Sequence, residues 1–460
     1  VQIVRVSGPR GGRFVGGVPL RSCGARPPRA GMRAARALLA SVIASVAEAQ
    51  RVVFGSCSKV QLPQPLWPRI LSRDANVFIW AGDNVYGDEL IAVRPLTFEP
   101  ATSAKLRRLY AEQHAIPGYH ALVDSGVSIV ATWDDHDYGW NDAGASLPFK
   151  SESQRAFVDD FLRITDDEHP LQTQKGVYTA QTFSIPTVED SSVVLKVKVV
   201  ALDMRYHKDP YDCATDGATC DFLGEAQWEW LAREFDASIV EKVDAHVLVS
   251  SLQLLESRQS LGECWARFPT ARTRFLRLLE AKRVKAPIVI SGDVHFAELS
   301  VGACPSSKQV MEVTSSGLTH SWATGPSQLP KWHPVSFATS FGMRLAMRVM
   351  PWRYQIAGQF FLGLNFGEIE FINAESVDVK IFGLDGVALQ QRFNLADLGA
   401  CEDPKPRDGA VPRWREKVAL PLFGAAIFAS ILAALTPLVL LCACGVRRRN
   451  RSKKREGKNA

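Results

Sequence analysis

The chain has 460 residues, 46% of them hydrophobic and 22% charged, which excludes a disordered protein and leaves room for one large domain or two ordinary ones. Its formal charge of +6 sits at the ends: residues 1–36 carry eight Arg and no acid, and residues 447–460 carry a net +7, so the body stands near −9. That balance excludes a basic nucleic-acid surface on the folded part and suits cation binding.

Val1 to Gly31 is rich in Gly, Pro and Arg without periodicity and reads as an upstream extension outside the fold. Residues 32–49 read as a signal peptide: Arg33 and Arg36 precede an apolar run from Ala37 to Val46, and Ala47-Glu48-Ala49 fits the small-x-small cleavage rule. The mature chain would begin near Gln50.

Residues 50–400 then alternate strand and helix patterns. Arg51 to Phe54 is a short strand ending in Gly55-Ser56-Cys57. Leu66 to Ser72 reads as helix. Val77 to Trp80 is a buried strand ending in Gly82-Asp83. Residues 101–124 read as one helix, Val127 to Thr132 as a strand ending in Trp133-Asp134-Asp135-His136, and 151–164 as an amphipathic helix. Val193 to Leu202 is β-rich and leads into Asp203-Met204-Arg205. Leu223 to Phe235 is a helix with aromatic residues for the core. Ala245 to Ser250 and Ile288 to Ile290 are strands, the second ending in Gly292-Asp293-Val294-His295. Gly367 to Phe371 and Val377 to Phe382 read as a closing hairpin. The order predicts an α/β sandwich with partly mixed sheets, and open α/β sheets carry their ligands at strand ends. Residues 326–362, rich in Phe, Trp and Met, predict either an amphipathic helix packed on the core or a lid that touches a membrane.

Residues 401–417 read as a stalk. Val418 to Val446 is almost wholly apolar and uncharged, long enough to cross a bilayer with tilt, and a basic block follows at once. The positive-inside rule puts the 447–460 tail in the cytosol, giving a single-pass type I membrane protein of the secretory pathway with a lumenal or extracellular body. Of the nine Cys, six fall in that body: Cys57, Cys213, Cys220, Cys264, Cys304 and Cys401. Cys213 and Cys220 flank a polar loop and predict a disulfide; Cys304 and Cys401 are alternative partners for Cys264, between which the sequence does not choose.

The strand-end clusters carry the chemistry. A carboxylate directly after a buried strand, as at Asp83, can bridge two cations without loop flexibility, and such pairs clamp both oxygens of an in-line displacement. Cys57 and Tyr86 beside it offer a thiolate and a phenolate, which together suit iron better than magnesium. Asp134, Asp135 and Asp137 crowd around His136 and need cations to neutralise them. Asn141 adds a neutral oxygen, and carboxylates with an amide oxygen suit a hard cation such as calcium. Asp293 and His295 repeat the strand–Gly–Asp pattern, with Glu298 as an outer partner. Trp80, Trp133 and Trp140 read as walls and packing.

In order and spacing, Phe54-Gly55-Ser56-Cys57, Ala81-Gly82-Asp83-Asn84-Val85-Tyr86-Gly87-Asp88, Thr132-Trp133-Asp134-Asp135-His136-Asp137 with Asn141-Asp142, and Ser291-Gly292-Asp293-Val294-His295 resemble the PhoD-type alkaline phosphatases, a branch of the calcineurin-like metallophosphoesterases. The resemblance spans roughly residues 50–395 and implies a four-layer αββα sandwich. It implies a ferric ion on Cys57, Asp83, Tyr86 and His295, and calcium on Asp83, Asp134, Asn141 and Asp293, with other divalent metals in their place. Asp135 would complete or orient the calcium shell. The implied reaction is hydrolysis of a phosphoric ester by in-line attack of metal-bound hydroxide or oxide. Asp83, Asp134, His136 and Asn141 would be catalytic, and His136 and Arg205 would contact the substrate phosphate. The chain departs from bacterial members: residues before Cys57 show no β-sandwich domain, and a span follows the body. Two rival readings remain: a catalytically weak phosphate or metal receptor built on the same site, and a serine-nucleophile hydrolase. The second lacks a Gly-x-Ser-x-Gly elbow.

Overall fold

The computed structural model describes residues 51–93, 96–213, 220–256, 263–324, 333–349 and 354–406, together with 421 and 425. The predicted leader, signal peptide, membrane span and basic tail, and the stalk beyond 406, lie outside the described residues. Among the described residues no helix is long and apolar enough to cross a membrane.

In chain order the strands are β1 (Arg51–Gly55), β2 (Val77–Ala81), β3 (Glu89–Val93), β4 (Leu96–Glu99), β5 (Ser128–Thr132), β6 (Thr179–Pro186), β7 (Val194–Ala201), β8 (Ala245–Val249), β9 (Pro287–Ser291), β10 (Ala297–Ala303), β11 (Gln309–Ser315), β12 (Gln355–Phe361), β13 (Phe366–Phe371), β14 (Ser376–Gly383), β15 (Gly386–Asn394) and β16 (Lys405–Pro406). One sheet runs β15-β14-β13-β1-β2-β5. The second runs β12-β10-β11-β9-β8-β7-β6, with β16 beside β10, and β3-β4 is a separate hairpin. Both sheets are mixed: β1, β2 and β5 are parallel, as are β7, β8, β9 and β11, while their outer neighbours run antiparallel.

Side chains alternate between the faces of a strand. Val52 and Phe54, with Val77, Ile79 and Ala81, enter the core between the sheets, where Val247, Val249, Ile288 and Ile290 meet them. Val53, Phe78 and Trp80 point the other way, under helices 103–115 and 117–124 and the segment 150–161. Val200, Leu248 and Val289 likewise face helices 224–241 and 269–281. The central strands are therefore buried on both faces, which is why their sequence is nearly continuous in apolar residues rather than alternating. The result is two sheets face to face with helices outside each, the α/β sandwich the sequence predicts.

Three local expectations change. Residues 101–124 form two helices, because Pro117 forces Ile116 into extended backbone (φ −62°, ψ 119°) and restarts the helix. Thr102 caps the first, accepting from the Lys105 amide. The segment 151–164 is a helix over 150–156 running into a π turn over 157–161. Cys264 pairs with neither candidate. Cys304 bonds to Cys401 instead, because β16 pairs with the end of β10 and brings the two within 5.8 Å between Cα atoms. Cys264 is buried and free, and the predicted Cys213–Cys220 bond is present. Helix 334–349 packs on the core through Met343 and Met347 against Phe296 and Leu362, with Phe337 and Phe341 exposed.

One buried group in this frame predicts a pH response. His246 on β8 stands edge-on to Phe235, its Nδ1 against the Lys285 carbonyl and its Nε2 without a partner. Burial pulls it from 6.5 down to about 4. A depressed histidine contributes stability that is present above pH 6.5 and lost as pH falls toward 4, because the unfolded chain takes the proton first. The full swing is about 3 kcal/mol. Urea melts at pH 7 and pH 4.5 should show that loss in the wild type. His246→Phe should flatten that part of the slope.

Candidate metal centre

The parallel strands of each sheet end on one edge of the sandwich, and the ligand candidates stand just past those ends. Cys57 follows β1, Asp83 follows β2, Asp134 and Asp135 follow β5, and Asp293 and His295 follow β9. The chain turns sharply there. Cys57, Asp83, Asp293 and His295 all hold positive φ, at 61°, 52°, 68° and 57°. Such backbone costs energy for residues other than glycine and persists only where the surroundings impose it, and it clusters at functional sites. Two glycines make the close approach possible. Gly82 (φ +98°) has room for no Cβ, which would lie 2.8 Å from Asp134 Cβ and 2.9 Å from Ser251 Cβ. A Cβ on Gly292 would meet Ser56 Oγ at 2.5 Å and the Ala81 carbonyl at 3.0 Å. The Gly-Asp pairs thus serve to let two strand ends from opposite sheets meet.

Four overlapping groups result, each with ligand atoms within 4.8 Å of one another: Cys57, Asp83 and His295; Asp83, Asp135 and His136; Asp134, Asp135 and Asp293; and Asp135, Asp142 and Glu263. Asp83 belongs to the first two and Asp135 to the last three. Tyr86 joins the first, its hydroxyl 3.1 Å from Asp83 Oδ2 and 3.1 Å from His295 Nε2. Cys57 Sγ lies 3.6 Å from Asp83 Oδ2 and 2.9 Å from Ser316 Oγ. Asp83 Oδ1 and Asp134 Oδ2 are buried without a hydrogen-bond partner. Carboxylate oxygens left so are costly unless something positive faces them.

The electrostatics say the same. Burial raises the Asp83 and Asp293 carboxyls well above 3.8, with neighbouring acids adding to it. Burial takes Asp134 to about 7 against the pull of Arg205. It also pushes the Cys57 thiol to about 11 and the Tyr86 phenol well up. His295 is driven down to about 4 by burial and by His136, so it stays a neutral imidazole. Asp135 alone goes the other way, to about 2, because His136 and Arg205 outweigh its burial. A set of acids that cannot ionise together, beside a neutral imidazole, suits multivalent cations, whose charge reverses these shifts. The donor set fits two of them.

Other predicted residues fall at the edges. His136 stacks on Tyr86 (4.2 Å between rings), and its Nδ1 lies 2.6 Å from Asp88 Oδ1. Asn141 is half-buried, held by its backbone N–H to Asp88 Oδ2 at 2.9 Å rather than by its side chain. Asp137 turns away from the ligands: it accepts from the amides of Asp134 and Asn84, capping the 135–138 turn. Arg205 is wholly buried, and its guanidinium faces acids where the sequence predicts a substrate phosphate. Its Nε lies 2.5 Å from Asp134 Oδ1, with Glu263 and Asp135 around it. Glu298 takes a hydrogen bond from Gln253 behind the site. Trp140 is exposed at the surface, whereas Trp80 and Trp133 are buried.

The sequence reading assigns no role to four residues that the structure brings in. Asp88 orients His136. Glu263 anchors Arg205 and Lys208. Ser316 touches both the Cys57 thiol and the His295 amide. His320 lies 4.4 Å from the His295 ring and 5.0 Å from Tyr86. Asp88 was visible as the end of the Asp83 motif; the others follow no apolar strand–Gly–Asp signature.

Residues 195–342 match the family model of the PhoD-like phosphatases, a stretch that carries Arg205, Glu263, Asp293, His295 and His320. Among solved structures, the fold is similar to one described as the structure of PhoD, with a TM-score of 0.53 and 14% identity over 83% of this chain and 77% of that one. A purple acid phosphatase isolated from yellow lupin (Lupinus luteus) seeds matches with a TM-score of 0.44 and 10% identity over 75% of this chain and 53% of that one. A dimetal phosphatase from Danio rerio matches with a TM-score of 0.43 and 10% identity over 76% and 99%. No curated protein sequence matches the chain. Residues 195–342 are thus similar to the PhoD-like phosphatases, the fold around them is similar to that of PhoD, and linked groups of metal-capable side chains stand at its strand ends.

Proposed function

We propose that this phosphoesterase hydrolyses phosphoric monoesters, and diesters at the same centre, with iron and calcium as its cations. The observation that carries the reading is Asp83: one buried carboxylate shared by two ligand groups, with Oδ1 unpartnered. The donors differ between the groups. Thiol, phenol and imidazole gather around Cys57, Tyr86 and His295, a set suited to iron. The Asp134, Asp135 and Asp293 group is all oxygen, suited to calcium. A bound pair of cations supplies the Lewis acidity for in-line displacement at phosphorus. The chain supplies the rest. Asp88 fixes the His136 ring through Nδ1, leaving Nε2 to offer a proton to an ester oxygen. Arg205 and Ser251 both donate to Asp134 Oδ1 and hold that carboxylate in one orientation.

The body is placed outside the cytosol, anchored by the apolar run at 418–446. The Cys213–Cys220 and Cys304–Cys401 disulfides support an oxidising compartment.

Metal removal tests the reading. Purified body is assayed on an aryl phosphate and a bis-aryl phosphate before and after chelation, with elemental analysis alongside. Both activities should vanish on chelation and return with added Ca²⁺ and iron. Undiminished turnover by metal-free protein would sink the proposal. Bound metal with no turnover of either ester would favour the receptor reading instead.

A further inference from the structure

Trp140 is the one exposed tryptophan among the described residues, at 42%, whereas Trp67, Trp80, Trp133, Trp228 and Trp265 are buried. Exposure alone means little, since single apolar residues are common on surfaces. Its anchoring does mean something. The indole Nε1 donates to the Phe98 carbonyl on β4 at 3.2 Å, so one edge of the ring is fixed. Its own amide donates to the Asp135 carbonyl at 3.0 Å, which ties it to a ligand residue. The next residue, Asn141, donates to the Asp88 carboxylate that also holds His136.

A row of rings connects this tryptophan's support to the metal centre. Tyr86 touches Asp83 and stacks on His136 at 4.2 Å, and the Phe98 ring lies 6.0 Å beyond His136. Trp140 stands at the outer end, beside Phe98. Across the hairpin, Leu90 pairs with Phe98 in register, and Leu90 and Ile91 are exposed. The ligand end of this row is polar and buried; the outer end is apolar and open.

We propose that Trp140 and the β3–β4 hairpin form a subsite for the organic group of the ester, and that preferred substrates carry a flat aromatic group, an aryl ring or a nucleobase, near the phosphate. This rests on the phosphoesterase reading and narrows it. An indole held by one edge presents a fixed face, and stacking on such a face favours any flat π-system without regard to its hydrogen-bonding edge. A small aliphatic ester has nothing to place there.

The test compares kcat/KM for 4-nitrophenyl phosphate, a nucleoside monophosphate and glycerol phosphate in the metal-loaded wild type, Trp140→Ala and Trp140→Phe. Trp140→Ala should lower kcat/KM by about tenfold for the aromatic esters, mostly through KM. Glycerol phosphate should change less than about twofold, and Trp140→Phe should keep most of the preference. A drop confined to the aryl or the nucleotide arm names the group that stacks. Equal losses on all three substrates would mean that Trp140 acts only by holding the Asp135 and Asn141 backbone, and would overturn the subsite, as would no loss at all. Failure of the wild type to cleave any of the three, with cations bound, would take down the phosphoesterase reading itself.

Discussion

Asp83→Asn should lower kcat for phosphoester hydrolysis by about a thousandfold or more while leaving a folded protein. Asparagine is the informative replacement because residue 83 sits at φ 52°, a conformation Asn adopts readily and Ala does not. It keeps the shape and removes the charge that two ligand groups share. The cost to cation binding should show in elemental analysis as loss from both groups. Stability should move in the opposite direction. In metal-free protein the buried Asp83 carboxyl is raised well above 3.8, chiefly by burial. A raised carboxyl contributes stability that is full below 3.8 and lost as pH rises through its folded value. At neutral pH the chelated wild type carries that cost and the Asn variant does not. Chelated Asp83→Asn should therefore melt above the chelated wild type, and added cations should raise its Tm far less. A variant that keeps wild-type turnover would remove Asp83 from the centre.

Arg205→Met should destabilise the protein by about 3–5 kcal/mol, the usual result of removing one partner from a buried ion network. The side chain is wholly buried among Asp134, Asp135 and Glu263, so its loss strands those acids without compensation. Arg205→Lys keeps a charge but not the planar fork that reaches several acids at once, and should fall between. Denaturant unfolding of the metal-loaded proteins measures this. Kinetics separate the two roles this arginine can have. A residue that grips substrate phosphate would raise KM with little effect on stability. One that orients Asp134 would lower kcat and stability together, and the burial of Arg205 supports that pattern. Glu263→Gln in the Arg205→Met background should recover part of the stability, because it removes one of the stranded charges.

The ligand positions were legible because each follows a recognisable strand. A run such as Val77 to Trp80 must be buried on both faces, and Gly-Asp directly after it has no packing role there. Asp83 and Asp293 could be picked out on that ground, and Asp134 and Asp135 by the acidic run right after β5. Residues lacking the signal were missed or misjudged. His320 and Ser316 come after β11 in a Ser- and Thr-rich loop, and only the folding of β11 beside β9 carries that loop to Cys57 and His295. Glu263 is a lone acid in the sequence, and Arg205 reads there as a contact for substrate phosphate because nothing local reveals that three carboxylates enclose it. The disulfide at Cys304 depended on β16 returning to β10, a pairing of two residues that no periodicity announces.

Local pattern thus sufficed for the alternation of strands and helices, for the chemistry gathered at the strand ends and for the family those motifs resemble. Which acids meet, and how many cations they can share, waited on the packing of the two sheets. Strand polarity and burial are written in neighbouring residues, whereas the spacing of side chains from opposite sheets depends on how closely backbones approach. Here that approach is made at Gly82 and Gly292, where a single added carbon would push the two halves of the centre apart.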